Sequence, residues 1–289
     1  MYRKCSSNGV IDIVPCTRSI RIVDLFTMSS GFTYNYSDDF INAAKTANRN
    51  SLSEFAGTLA KDPLYFEPGT QWHYGASHDV LGALIETISG KSFGAYLNSD
   101  IIEPLGMNDT FFDLYIPDEK VRRMATAYDF DDETKKHNKR TPRCGGPHGR
   151  DWTIEEGGAG LISSVHDYAI FANTLCSGGT AANGYRLLSK STVDLMRTNH
   201  LDETRMKDFE ELSWDGYGYG YGLGVRIMVN RAAAGSLSNI GEFGWAGMLG
   251  TYVLIDPTAE LTYVYAQQLY PSKEPYIAKR LRNIVYSCI

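Results

Sequence analysis

Two hydrophobic rhythms divide this chain. From about residue 38 to 200, apolar residues recur three and four apart, and over the last eighty they alternate or run together in short stretches. The plainest helical stretch follows Ser77, where Val80, Leu81, Leu84, Ile85 and Ile88 fall on one face. Ser77 is suited to cap its start, and Gly90 to close its end. Similar spacing predicts helices over Ile20 to Met28, Asp38 to Leu59 (Phe40, Ala43, Ala44, Phe55 and Leu59 as the stripe), Ser92 to Ile102 ending at Pro104, Ser164 to Cys176, and Ser191 to Asn199 capped by Ser191 or Thr192. A closing amphipathic helix is expected over Pro275 to Ile289. Strands are expected within Tyr217 to Met228, Phe243 to Ile255 and Leu261 to Gln267, with a short one around Met124 to Tyr128. Near the start, Asn8-Gly9 between short apolar runs is a hairpin signal. A mostly helical middle followed by an antiparallel sheet makes the expected class α+β.

Composition narrows the function without choosing it. The chain has 289 residues, of which 43% are hydrophobic and 21% charged, enough for a core that can hold a buried site. Twenty-eight basic against thirty-four acidic side chains leave a net charge of −6. The densest basic stretch, Lys135 to Arg143, reads as a solvated loop, so no nucleic-acid partner is expected. No apolar run reaches membrane-span length, and no signal peptide is visible. Cys5, Cys16, Cys144, Cys176 and Cys288 are odd in number and lack a paired spacing, which favours reduced thiols and leans toward a cytoplasmic setting. His73, His78, His137, His148, His166 and His200 form no ligand spacing, so neither metal nor other cofactor is expected. There is no G-x-S-x-G elbow and no phosphate loop.

Chemistry enters with a run of motifs. Phe66-Glu67-Pro68-Gly69-Thr70-Gln71-Trp72-His73-Tyr74 precedes the Asp79-Val80-Leu81-Gly82 helix, and Pro104-Leu105-Gly106-Met107-Asn108-Asp109-Thr110 comes later. Before them lies Ile22-Val23-Asp24-Leu25-Phe26-Thr27-Met28-Ser29-Ser30-Gly31. After them come Gly157-Gly158-Ala159-Gly160-Leu161-Ile162-Ser163-Ser164 with Asp167-Tyr168, and Gly220-Tyr221-Gly222-Leu223-Gly224. Five such segments in this order resemble the serine β-lactamase-like hydrolases, a family of class C β-lactamases, D-amino-acid peptidases and esterases.

The resemblance implies a β-lactamase/transpeptidase-like fold: one domain over 1–289, with a helical subdomain over about 33–200 and a sheet subdomain from about 1–32 and 201–289. It implies acyl transfer through a serine of an S-x-x-K motif, helped by a tyrosine and by backbone oxyanion donors. Tyr74 matches the tyrosine, although Gly75-Ala76 replaces the family's asparagine-bearing continuation. Trp245-Ala246-Gly247 stands where K-T-G is expected, as in esterase-like members, and the Met248 N–H would be an oxyanion donor. Without that lysine, a substrate carboxylate loses its cation. The expected substrate is therefore a small ester or amide.

The nucleophile is the departure. No serine in the chain has lysine three positions on, and Thr58-Leu59-Ala60-Lys61 falls on the wrong side of the Pro68-Gly69 turn. The resemblance places S-x-x-K some tens of residues before Leu25-Phe26-Thr27, where this chain has about twenty. The expectation is a fold lacking its first strands and nucleophile helix, catalytically incomplete as given, with an uncovered sheet edge that invites oligomers. The alternative is a non-catalytic ligand-binding or scaffold relative. A third reading makes Ser29 or Ser30 an unrelated nucleophile.

Overall fold

The computed structural model describes residues 1–5, 9, 11–35, 51–112, 117–140, 154–272 and 274–289. Its strands are β1 (Tyr2–Cys5), β2 (Ile11–Val14), β3 (Phe111–Phe112), β4 (Tyr128–Asp131), β5 (Lys136–Lys139), β6 (Leu161–Ile162), β7 (Tyr219–Tyr221), β8 (Arg226–Met228), β9 (Phe243–Ala246), β10 (Tyr252–Asp256), β11 (Leu261–Tyr265) and β12 (Leu269–Tyr270). The main sheet is antiparallel in the order β11-β10-β9-β8-β7. β10 shows why its sequence is apolar from Tyr252 to Ile255. Val253 and Ile255 join Ala172 and Leu175 of the helix Val165–Cys176 on one face. Tyr252 and Leu254 meet Ala278 and Tyr286 of the helix Glu274–Tyr286 on the other. A strand covered on both faces has no polar side to alternate with.

β1 and β2 pair antiparallel, Tyr2 opposite Val14, as the hairpin signal requires. They form a two-stranded sheet of their own, tied to the rest where Arg3 N–H donates to the Leu64 carbonyl at 2.8 Å. β12 lies parallel to β4, and β4 antiparallel to β5, in a three-stranded sheet. β3 and β6 pair antiparallel. Among the described residues no helix is long and apolar enough to cross a membrane.

The helix after Ser77 spans Ser77–Ser89 and closes on Gly90 in the left-handed conformation, φ 68°. Ser77 does not cap it. Ala76 occupies the cap position, and the Ser77 hydroxyl lies 2.8 Å from that of Ser30. The expected helix over Ser92 to Ile102 is Phe93–Leu97, followed by a π-helical turn, Asn98–Ile102, and a last turn, Glu103–Leu105, that contains Pro104. Pro104 has no N–H for the Asp100 carbonyl. The Tyr185 hydroxyl donates to that carbonyl instead, at 2.9 Å. Ser189, not Ser191 or Thr192, caps the helix Lys190–Met196 by accepting from Thr192 N–H at 3.1 Å. Of the stretch from Asp38, the helix Leu52–Leu59 is seen, capped by Ser51, while Phe40, Ala43 and Ala44 lie outside the described residues. The helix Glu203–Leu212, capped by Asp202, carries so few apolar residues that its pattern hides it; Phe209 alone is buried.

Candidate active site

Backbone hydrogen bonds lay two of the motif segments side by side. Gly69 N–H donates to the Ser29 carbonyl at 2.7 Å, His73 N–H to Met28 at 2.9 Å, and Tyr65 N–H to Gly31 at 2.9 Å. Arg18 clamps them. Its guanidinium grips Asp24 at 2.9 and 3.0 Å and donates to the Pro68 carbonyl at 2.6 Å. Burial alone would raise the Asp24 carboxyl, but hydrogen bonds from Arg18 and Arg21 outweigh it and hold it below the ordinary range. Trp72, 2% exposed, anchors the end of the run between Phe209 and Tyr221, with ring centroids at 4.9 and 5.6 Å. Asp208 accepts the Trp72 N–H at 2.9 Å. The helix Glu203–Leu212 thus holds the segment that delivers Tyr74.

The remaining motifs are joined by two carboxylates. Asp167 accepts from Asp109 N–H at 2.7 Å and from the Thr110 hydroxyl at 2.9 Å, fastening residues 104–110 to the helix Val165–Cys176. Asp79 accepts from Gly158 N–H at 3.0 Å, fastening the glycine run to the helix Ser77–Ser89. Gly224 N–H donates to the Phe26 carbonyl at 3.0 Å, bringing the loop after β7 onto the first segment.

What converges is a cavity of about 290 Å³ between the inner sheet face and these helices. Tyr74 and Trp245 stand at it with rings stacked at 5.7 Å and 21°. Burial pushes the Tyr74 phenol up; the hydrogen bond from Trp245 opposes this and the charge of Asp79 adds to it. Gly75 is followed at once by a tight fit, for a Cβ there would lie 2.4 Å from the Phe32 carbonyl oxygen. A larger residue there would have to displace the Phe32–Thr33 backbone. β9 ends at Ala246, and the turn beyond it is closed by Gly247 N–H to Thr251 O at 2.8 Å and Gly250 N–H to Gly247 O at 2.9 Å. These bonds leave the Met248 N–H out of the turn's ladder, and the Met248 side chain is exposed.

His78 at the cavity and its chain neighbour Asp79 were not singled out by the sequence as site residues. Asp79 is buried and accepts backbone hydrogen bonds from Gly158 and Gly157, yet burial holds its carboxyl up at about 6. His78 lines the cavity and is held below the ordinary imidazole range, chiefly by burial, against a hydrogen bond with the Phe26 backbone. Both sit in the first turn of a helix whose apolar stripe drew attention to the opposite face.

Ser29 and Ser30 are accounted for by the turn. Ser30 Oγ meets Ser77 Oγ and accepts from Phe32 N–H at 3.2 Å, and Ser29 Oγ donates to the Thr27 carbonyl at 3.2 Å. Neither lines the cavity, nor does Thr58, which is buried in the helix Leu52–Leu59. Cys16, Cys176 and Cys288 are free thiols, and Cys144 lies outside the described residues.

A tyrosine brought by a Pro-Gly segment to a glycine-bearing sheet strand, with helices packed over the inner face, defines the β-lactamase/transpeptidase class of hydrolases. The chain belongs to the Beta-lactamase family, whose sequence model matches residues 14–286. An uncharacterised protein of Mycobacterium tuberculosis is 31% identical over 267 residues, covering 89% of this chain and 64% of its own. The chain thus spans less than two thirds of that relative's length. Two solved structures share the fold. Unliganded simvastatin synthase from Aspergillus terreus superposes with a TM-score of 0.77 at 22% identity, over 98% of this chain and 72% of its own (the selenomethionyl form). A hydrolase with promiscuous acyltransferase activity, EstCE1, gives 0.73 at 22% identity, over 97% and 74%.

Proposed function

We propose that this chain carries the tyrosine and oxyanion-strand half of an esterase-like acyl-transfer site, and that it is catalytically incomplete as given. The observation that carries the reading is the Tyr74–Trp245 pair at the cavity, its rings stacked with centroids 5.7 Å apart. In this reading Tyr74 moves the proton of the attacking and leaving oxygens. The Met248 N–H points its dipole at the carbonyl oxygen that becomes negative. Trp245, Ala246 and Gly247 form the strand against which the acyl group lies. An ester is favoured over a β-lactam because the lysine that would hold a substrate carboxylate is replaced by Trp245. The hydrolase with promiscuous acyltransferase activity that shares this fold supports acyl transfer as the reaction class.

The attacking serine is the part this chain does not hold, since no serine precedes a lysine by three. The helical part over about 33–200 and the sheet part over about 1–32 and 201–289 then act as two walls of one site. The test is turnover of p-nitrophenyl acetate and nitrocefin, with fluorophosphonate and penicillin probes read by intact mass. Background rates and no mass gain are expected. A burst of acylation on a serine would overturn the incompleteness. The second reading, a ligand-binding relative, is favoured by the same cavity and would show saturable ester binding without hydrolysis.

A further inference from the structure

The helix Val165–Cys176 turns Tyr168, Phe171 and Leu175, spaced three and four apart, toward the cavity. Tyr168 meets Phe171 edge-on, with ring centroids 5.9 Å apart at 62°. Burial alone raises its phenol; neither a charge nor a hydrogen bond contributes. The Tyr168 hydroxyl has no hydrogen-bond partner among the described residues, and it is not one of the polar atoms that packing has closed off. That separates it from His78 Nε2 and from the Tyr221 hydroxyl, both of which are sealed. Phe171, Leu175, Phe243 and Val253 make the surrounding wall apolar, and no carboxylate, lysine or arginine lines the cavity. His78, the one imidazole there, is kept neutral near pH 7, chiefly by burial. Tyr74, the phenol of the proposed reaction, is stacked on Trp245, which leaves Tyr168 as the second phenol on a separate wall.

We propose that Tyr168 is a ligand-recognition residue: the cavity takes a compact, uncharged, mainly apolar molecule whose one hydrogen-bond acceptor, a carbonyl or ether oxygen, receives the Tyr168 hydroxyl. A hydrocarbon of the same shape leaves that hydroxyl unpaired in an apolar wall, which disfavours it. A charged ligand would give up its hydration with no counter-ion in the lining. For acyl transfer at Tyr74 and Trp245 this favours acyl groups or alcohols that carry a second oxygen, away from the reacting carbonyl, over purely hydrocarbon ones. The inference goes beyond the acyl-transfer reading and is tested by binding, so a chain that turns over nothing leaves it standing.

Acetophenone, α-methylstyrene and benzoate are the probes: one shape, carrying a ketone carbonyl, a hydrocarbon double bond and a carboxylate in turn. Titrated into the full chain and followed by calorimetry, acetophenone should bind saturably and more tightly than either of the others. Tyr168→Phe removes only the hydroxyl; it should weaken acetophenone about three- to tenfold and leave α-methylstyrene unchanged or tighter. In infrared difference spectra, the carbonyl band of acetophenone bound to the unaltered protein should lie below its position in hexane. In Tyr168→Phe it should return toward that position. Failure of acetophenone to bind, equal losses for the two neutral probes, benzoate binding as tightly as acetophenone, or a carbonyl band unmoved by Tyr168→Phe would each overturn the proposal.

Discussion

Asp79 couples the site to stability in a way that can be measured. Its carboxyl is buried at 3% exposure and sits at about 6 against an ordinary 3.8. The cause is burial, which the backbone donors of Gly158 and Gly157 only partly offset. The folded state therefore binds this proton more tightly than the unfolded chain. That contribution to stability is fully present below the unfolded pKa and is lost as pH rises through about 6. The shift of roughly two units corresponds to about 3 kcal/mol, most of it falling between about pH 4 and pH 7. Asp79→Asn keeps an amide oxygen for the Gly158 N–H at nearly the same place and cannot ionise. Urea unfolding of both proteins across that range isolates the residue, because every other titrating group cancels in the difference. The stability of Asp79→Asn relative to the parent should grow by about 2–3 kcal/mol from low to high pH. A difference that stays level, or grows as pH falls, would refute the assignment of the raised carboxyl to Asp79. Removing the same charge should also lower the Tyr74 phenol, since the Asp79 charge helps raise it.

Three further perturbations probe separate parts of the argument. Gly75→Ala forces a methyl against the Phe32–Thr33 backbone, and should cost about 1–3 kcal/mol in urea unfolding and disturb the near-ultraviolet signal of the Tyr74–Trp245 pair; a silent substitution would mean the segment is loosely seated. Arg226 is buried between Asp215 and Glu242, both at 3.3 Å, with its guanidinium 4.5 Å from the Tyr252 ring. Arg226→Met leaves two buried carboxylates without it and should destabilise by about 3–5 kcal/mol, whereas a change under about 1 kcal/mol would show that Arg282 and Lys279 suffice for Asp215 and the Tyr219 and Ser238 hydroxyls for Glu242. β11 ends the main sheet with an open side among the described residues, and self-association through it should appear in light scattering; a monodisperse monomer with a sharp, concentration-independent thermal transition would count against it.

The legible parts of this protein are those where one local rule decides. Gly90 ends its helix because a left-handed residue is needed there and glycine supplies it. Ser164 caps the helix Val165–Cys176 by accepting Asp167 N–H at 3.1 Å, as the serine before an apolar stripe foretells. The five ordered motifs carried the family. Local rules failed where a distant group took over. Ser77 gave its hydroxyl to Ser30, 47 residues away in sequence, and Pro104 stayed inside a helical turn because Tyr185 took up the Asp100 carbonyl. The helix Glu203–Leu212 was hidden because a single buried side chain, Phe209, docks it on Trp72.

The chain by itself determined its secondary-structure rhythm, its family, and the absence of any serine three residues ahead of a lysine, because each is a matter of spacing along one dimension. The tertiary structure alone decided that Tyr74 stacks on Trp245, that Asp167 and Asp79 bind the motif segments together, and that His78 lines the cavity with Tyr74 and Trp245. Burial and hydrogen-bond supply set the chemistry of those groups. Both depend on which distant backbone comes to rest beside them, and no reading of near neighbours contains that.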